Sequence, residues 1–280
     1  MILPLVSIMM PVYNGLPLIK ASIESIIQQT YPNWECVIVD DGSNDGTSAY
    51  LDSINNERFV VYHLKINSGR AIARQKALDL CKGKYICMVD AEDLIHPEKI
   101  ARQVEFLEKN KDYSLCTTGL CSFGTKTEML LVRGAKRSGK FVFTGDNHPI
   151  HAPSMYRASI AKQCFYNPIL RLGEDQDFLE KYLKINPCYY VFDDILYYYS
   201  ELDSVTKNKI SRNYYLYIGK YLKQKNYKMS LIFLLKYIYS KIVFPFIRIE
   251  SLLYARGRKA TDGEKKVFED CCTSIVKKYI

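Results

Sequence analysis

The chain has 280 residues, enough to bury the core of one large domain or of one domain with an appendage. Its 48% apolar and 25% charged residues match a folded soluble protein and exclude a disordered or fibrous one. The net charge of +9 divides unevenly: residues 1–206 hold 22 Lys and Arg against 25 Asp and Glu, whereas residues 207–280 hold 17 against 5. The basic excess therefore belongs to the last quarter and needs its own explanation.

The apolar run "VSIMMPVY" (6–13) predicts a first strand. Leu18, Ile19, Ile23, Ile26 and Ile27 then recur at helical spacing until "TYPNW" ends the pattern. "ECVIVD" (35–40) predicts a second strand, closing on the turn formers "DGSNDGT", and "RFVVYHL" (58–64) a third. A helix follows over 68–80, with Ala71, Ala77 and Leu78 free to pack. "KYICMVD" (84–90) predicts the fourth strand, and Ile100, Val104 and Leu107 mark the next helix. Strands apolar throughout, alternating with helices, predict βαβ units around a mostly parallel sheet. In such sheets ligands bind beyond the carboxyl ends of the strands. "YNG", "DDGSNDG" and "DAED" each close a strand, which puts three polar clusters on one edge.

The start, "MILPLVSIMMPVYNG", lacks a basic n-region and a small-residue cleavage site and does not read as a signal peptide. Nine cysteines (36, 81, 87, 116, 121, 164, 188, 271, 272) contain no CxxC pair, and with four histidines they argue against zinc. Cysteines in runs such as "ECVIV" and "YICMV" are expected in the core, reduced, in a cytosolic compartment.

Two acidic clusters carry the candidate chemistry. "VDAEDLIHP" (89–97) sets Asp90, Glu92 and Asp93 directly after an apolar run. Carboxylates this close raise one another's pKa unless a cation sits among them. A solvated strand-to-helix turn and a divalent-cation site are the two readings. In "LGEDQDF" (172–178), Glu174 and Asp175 either complement the dipole of the helix they open or supply a general base. No GxGxxG follows the first strand and no GxxxxGK[ST] occurs, so Rossmann dinucleotide and P-loop signatures are absent.

Five segments in order, "VSIMMPVYN", "CVIVDDGSNDGT", "NSGRAIARQKAL", "YICMVDAEDLIHPEKI" and "LGEDQDF", resemble the family 2 glycosyltransferases, inverting enzymes of the GT-A fold that build bacterial cell-surface polysaccharides. The resemblance covers roughly residues 5–206. It implies an α/β fold with a Rossmann-like, mostly parallel central sheet flanked by helices and a C-terminal helical extension. Residues 1–206 would be the catalytic domain and 207–280 a basic, Tyr/Lys-rich helical region. Pro11, Val12 and Tyr13 would line the nucleotide pocket, Asp41 would accept hydrogen bonds from the base, most often uracil, and Arg74 would lie beside the nucleotide. Asp90 and Glu92, in the DXD region, would hold the ribose and Mg²⁺ or Mn²⁺, with Asp93 beside them. Asp175 would take the proton from an acceptor hydroxyl, with Glu174 orienting it. The implied reaction moves a sugar from a nucleotide-sugar donor, most often a UDP-sugar, to a glycan or lipid-linked glycan.

Two departures stand out. Glu92 replaces the usual aspartate, and in "YYYSELDSVT" (197–206), which keeps Ser204 and Thr206, Ser200 replaces an arginine. A cation that could help hold the diphosphate is missing there or comes from elsewhere. His148 and His151 are left outside the catalytic set. Acceptor recognition is placed in 115–170, with "GTKTEMLLVRGAKRSGKFVFTG" read as a loop or hairpin.

The last quarter is helical in tendency and dense in Tyr, Lys and aliphatics. Lys236, Lys241 and Arg248 interrupt its apolar runs and Pro245 breaks them, which disfavours a membrane span. The expectation is a peripheral attachment to the inner face of the cell membrane, lysines turned to anionic headgroups. Packing on the catalytic domain or on a second copy is the alternative, and the oligomeric state is left open. A nucleotidyltransferase would need a Gly-rich basic loop after the first strand, which "PVYNGLPL" does not offer. A nucleic-acid-binding module would leave "DAED" and "GED" unexplained, so no nucleic-acid partner is expected.

Overall fold

The strands follow in chain order as β1 (Val6–Val12), β2 (Trp34–Asp40), β3 (Phe59–His63), β4 (Tyr85–Met88), β5 (Leu94–Ile95), β6 (Leu115–Phe123), β7 (Leu131–Arg133), β8 (Gly139–Val142), β9 (Met155–Arg157), β10 (Cys188–Ser200) and β11 (Arg258–Lys259). The helices are α1 (Leu18–Ile27), α2 (Thr47–Asp52), α3 (Arg70–Leu80), α4 (Lys99–Lys109), α5 (Ala158–Ala161), α6 (Glu174–Ile185), α7 (Lys207–Lys223), α8 (Tyr227–Val243), α9 (Ile249–Tyr254), α10 (Asp262–Phe268) and α11 (Ser274–Tyr279). This computed structural model describes residues 2–124, 130–134, 138–145, 147–170, 172–201, 206–223 and 225–279. Ser204, one of the positions singled out above, lies outside them.

The apolar runs of the first 90 residues become the parallel half of the sheet, ordered β3–β2–β1–β4. Ile8, Met10, Val37, Val39 and Cys87 are buried, as strands covered on both faces require. Helix α1 buries Ile19, Ile23 and Ile26 against this sheet, each worth roughly 1.5–3 kcal/mol relative to exposure. Helix α2 was not foreseen; its one turn and a half follows the "DGSNDGT" turn.

Beyond β4 the sheet becomes mixed. β9 runs antiparallel to both β4 and β6, and β7 antiparallel to β6. β10 lies parallel to β6 and antiparallel to β5 and β8. The longest ladders, β1–β2 and β6–β10, are parallel. In the segment read as a loop or hairpin, β7 pairs antiparallel with β6, the strand just before it, while β8 pairs with β10 from distant chain. All nine cysteines are free thiols, and seven of them are buried.

The last quarter divides by packing. α7 and α8 lie against each other through Tyr214, Tyr217 and Tyr221 around Phe233. The chain then returns to the sheet: β11 pairs with β7, and Cys272 and Ile275 are buried with Ala21, Leu94 and Tyr198. On α8 and the 3₁₀ turn after it, Leu231, Leu235, Ile242 and Phe246 are 56, 58, 63 and 89% exposed. Residues 227–246 are long and apolar enough to cross a membrane by length and composition alone, with a mean hydropathy of 1.4.

Candidate active site

A cavity of about 330 Å³ opens at the carboxyl ends of β1 and β4. Pro11, Val12, Tyr13, Asp41, Arg74, Asp90 and Glu92 line it. Seven of the residues expected at the donor site thus share one space, because β1, β2 and β4 are neighbours whose carboxyl ends fall on one edge. Tyr13 is 46% exposed.

Asp41 is buried, and its carboxylate accepts the backbone N–H of Ser68 at 2.7 Å and of Gly69 at 2.8 Å. It fastens the loop that starts α3. Asp40 beside it takes a purely internal part, accepting from Ser48 Oγ and Ser43 N and pairing with His63 Nδ1 at 2.9 Å.

Of the carboxylates expected around a metal, Asp90 and Glu92 face the cavity and Asp93 does not. Asp93 is fully buried; its Oδ2 accepts Tyr197 Oη at 2.6 Å and its Oδ1 accepts Ser200 N at 2.9 Å. Burial and the neighbouring Asp90 push its pKa well up. We therefore assign Asp93 to anchoring β10 rather than to a metal. Glu92 stands exposed at the rim, its pKa raised by the surrounding protein and by Asp90, with Lys209 and Arg70 opposing. Among the described residues no group of three or more His, Cys, Asp or Glu side chains is placed to hold a metal. Two carboxylates beside an open cavity suit a hard cation that takes its remaining ligands from substrate phosphates and water.

A second cavity of about 280 Å³ adjoins the first and shares Arg70, Arg74, Asp90 and Tyr199 with it. It holds Glu174 and Asp175, at the start of α6, and His151. Gly173, at φ +75°, turns the chain into α6, and a Cβ there would come within 2.7 Å of Lys220 Nζ. Arg74, buried on α3, donates through Nη1 to Glu174 Oε1 at 2.8 Å and reaches Asp90 Oδ1 through Nη2 at 3.4 Å. Burial opposes its charge, but Asp90, Tyr166, Glu174 and Asp175 raise its pKa. Arg70, one turn earlier on the same face, approaches Glu174 Oε1 at 3.3 Å.

Burial pulls the Asp175 carboxyl up, yet the Arg74 guanidinium and the backbone N–H groups of Gln176 and Asp175 bring it below its usual value. Asp175 is thus ionised at neutral pH, as a base must be. His151 is 4% exposed; burial and Arg74 push it down to about 3, so it is neutral. Its Nε2 meets Tyr166 Oη at 2.9 Å.

Arg70, Tyr199, His151, Arg133, Glu201 and Arg256 line these cavities without having been among the expected site residues. Arg70 was findable, four positions before Arg74 and hence on its face. Tyr199 and Glu201 lie in the segment "YYYSELDSVT" and His151 was set aside above, whereas Arg133 on β7 and Arg256 before β11 carry no motif.

Parallel strands ending in a carboxylate-lined cavity, joined to a second cavity with an ionised carboxylate, define an α/β protein with a composite polar site at one sheet edge. The profile "Glycosyl transferase family 2" matches residues 7–165, and the chain belongs to that family. It is 34% identical over 152 residues to the putative teichuronic acid biosynthesis glycosyltransferase TuaG of Bacillus subtilis, covering 54% of each chain. It is 35% identical over 136 residues to the putative glycosyltransferase EpsE of the same organism, covering 48% of each. The match thus spans about half the length of these curated relatives. Among solved structures, Staphylococcus aureus TarS 1–349 in complex with UDP superposes with a TM-score of 0.61 at 20% identity, over 88% of this chain and 76% of that one. Mannosyltransferase PcManGT from Pyrobaculum calidifontis, in complex with GDP-Man and Mn²⁺, gives 0.61 at 16% identity, over 87% and 71%.

Proposed function

We propose that this protein is a metal-dependent inverting glycosyltransferase of polysaccharide synthesis, moving a sugar from a UDP-sugar to a hydroxyl of a glycan or lipid-linked glycan. The observation that carries the reading is the junction of the two cavities at Arg74, which ties Asp90 to Glu174 beside Asp175. Donor and acceptor sides would then meet across one guanidinium. Similarity to TarS, solved with UDP, and to TuaG, named for teichuronic acid biosynthesis, supports donor and pathway class.

In this reading the nucleotide occupies the cavity of Pro11, Val12, Tyr13 and Asp41. Asp90 and Glu92 would hold Mg²⁺ or Mn²⁺, whose Lewis acidity offsets the charge that develops on the departing diphosphate. Asp175 accepts the proton of the acceptor hydroxyl as that oxygen attacks the anomeric carbon from the face opposite the leaving group. A single base is enough for inversion, because the leaving diphosphate needs no proton. Glu174, paired with Arg74 and Arg70, keeps Arg74 in place next to that base.

The catalytic body comprises residues 1–206 together with the returning segment 258–279, and α7 and α8 form the appended part. Their exposed apolar side chains and lysines support attachment to the inner face of the cell membrane, cations toward anionic headgroups.

Calorimetric titration of UDP with and without Mn²⁺ tests the proposal. Binding is expected to need the metal in the wild type and to be lost in the Asp90→Asn, Glu92→Gln double variant. Metal-independent binding, unchanged in that variant, would overturn it.

A further inference from the structure

Glu201 follows β10 directly, next to Ser200, where the sequence lacks an expected arginine. Its buried carboxylate draws two arginines from distant parts of the chain. Arg133, at the end of β7, donates through Nη2 to Glu201 Oε1. Arg256, between α9 and β11, donates through Nη2 to Oε2 at 3.2 Å. Ser122 Oγ completes the cluster, donating to Oε1 at 2.8 Å and accepting from Arg133 Nη2 at 2.8 Å.

The approach of Arg256 depends on its neighbour. A Cβ on Gly257 would lie 2.5 Å from the Val132 carbonyl oxygen and 2.9 Å from Arg133 Cγ, so only glycine lets this segment close on β7. Among the described residues, two arginines meet this one carboxylate. Burial and then Arg256 lower the Arg133 pKa, against Glu201, as expected of a cation held beside another cation. Arg133 Nε is buried and has no hydrogen-bond partner among the described residues.

Arg133, Glu201 and Arg256 line the same cavity as Asp175. The other arginines there, Arg70 and Arg74, are engaged by Glu174 and Asp90. Arg256 is 37% exposed at the side chain, so its remaining N–H groups are open to the cavity's contents. Guanidinium forks match the paired oxygens of phosphate and carboxylate.

We propose that Arg133 and Arg256 form an anion subsite of the acceptor cavity, and that the acceptor carries a phosphate or carboxylate group near the hydroxyl that is glycosylated. This rests on reading the Asp175 cavity as the acceptor side.

The test titrates the full chain with glucose 6-phosphate, glucuronate and glucose by ligand-observed NMR, with UDP and Mn²⁺ saturating. At least one anionic probe is expected to bind about tenfold more tightly than glucose, the scale of one charge-assisted hydrogen bond. The arm that binds identifies phosphate or carboxylate. Arg256→Gln is expected to abolish the preference with glucose and UDP affinity unchanged, and Arg256→Lys to restore most of it. Equal binding of all three probes, or an anion preference that survives Arg256→Gln, would overturn the subsite. A parallel fall in UDP affinity in Arg256→Gln would also overturn it, assigning the pair to the donor diphosphate. Failure of UDP itself to bind would count against the donor reading alone. The Arg256 dependence, measured without nucleotide, would still decide the subsite.

Discussion

Arg74 Nη1 donates to Glu174 Oε1 at 2.8 Å, across 100 residues of chain, with both side chains buried. The pair links α3 to the start of α6 and so sets the distance between the two cavities. Removing Arg74 leaves the buried Glu174 with only the longer contact to the exposed Arg70, at 3.3 Å. Arg74→Met is expected to lower unfolding stability by about 3–5 kcal/mol. The Arg74→Met, Glu174→Gln double variant should recover part of that loss. Urea unfolding of the three proteins measures both values, and independent, additive effects would show that the pair is not coupled.

Asp175→Asn is expected to slow sugar transfer by about 10²–10⁴-fold, the usual contribution of a general base. Donor affinity should stay near that of the wild type, because Asp175 lines the second cavity and not the first. Steady-state transfer assays and UDP titration separate the two. A rate within about tenfold of wild type would leave Asp175 as a helix-opening residue only.

Asp93 and Asp90 should part company when mutated. Asp93→Ala removes the acceptor for Tyr197 Oη and Ser200 N. The expected loss is about 1–3 kcal/mol of stability, with the Mn²⁺ effect on UDP binding intact. Asp90→Asn should do the reverse. Thermal melts alongside metal-dependent titrations give the comparison, and loss of the metal effect in Asp93→Ala would return it to the metal site.

The returning C-terminal segment should be acid-sensitive. Arg258 grips Glu264 with two hydrogen bonds of 2.6 and 2.7 Å, and Glu264 also accepts Thr261 N at 2.7 Å in a capping box. Arg258 is the main cause holding Glu264 down to about 2, against its ordinary 4.5. A depressed carboxylate contributes stability that is full above its unfolded value and is lost as pH falls through its folded one. The window is therefore from 4.5 down to about 2. Glu264→Gln is expected to cost about 1–2 kcal/mol at neutral pH and to flatten the stability profile across that window. Chemical unfolding at a series of pH values reads it directly.

Membrane attachment is best probed by surface substitution. Truncation after residue 206 would strip β11 from β7 and uncover the cluster of Cys272 and Ile275. Leu235→Glu with Ile242→Glu instead alters only exposed α8 positions. Co-sedimentation of the full chain with anionic vesicles is expected, weaker at high salt and lost in the double variant. A wild type that stays in the supernatant at low salt would make α7 and α8 structural.

Local pattern by itself determined the parallel half of the sheet. Unbroken apolar strands such as "CVIVD" can only be covered on both faces, and helices between them demand parallel crossovers. It also determined that "YNG", "DDG" and "DAED" share an edge, since the carboxyl ends of parallel neighbours coincide. Tertiary structure alone decided which carboxylates face a ligand. Asp93 differs from Glu92 by one position, yet one side chain turns inward to Tyr197 and the other to the rim, a choice made by β10. It alone brought Arg133 and Arg256 together on Glu201, through a β7–β11 pairing of two short strands that periodicity is too brief to announce. Pairing partners far apart in sequence are selected by mutual burial and charge, and neither is written in the spacing of residues along one strand.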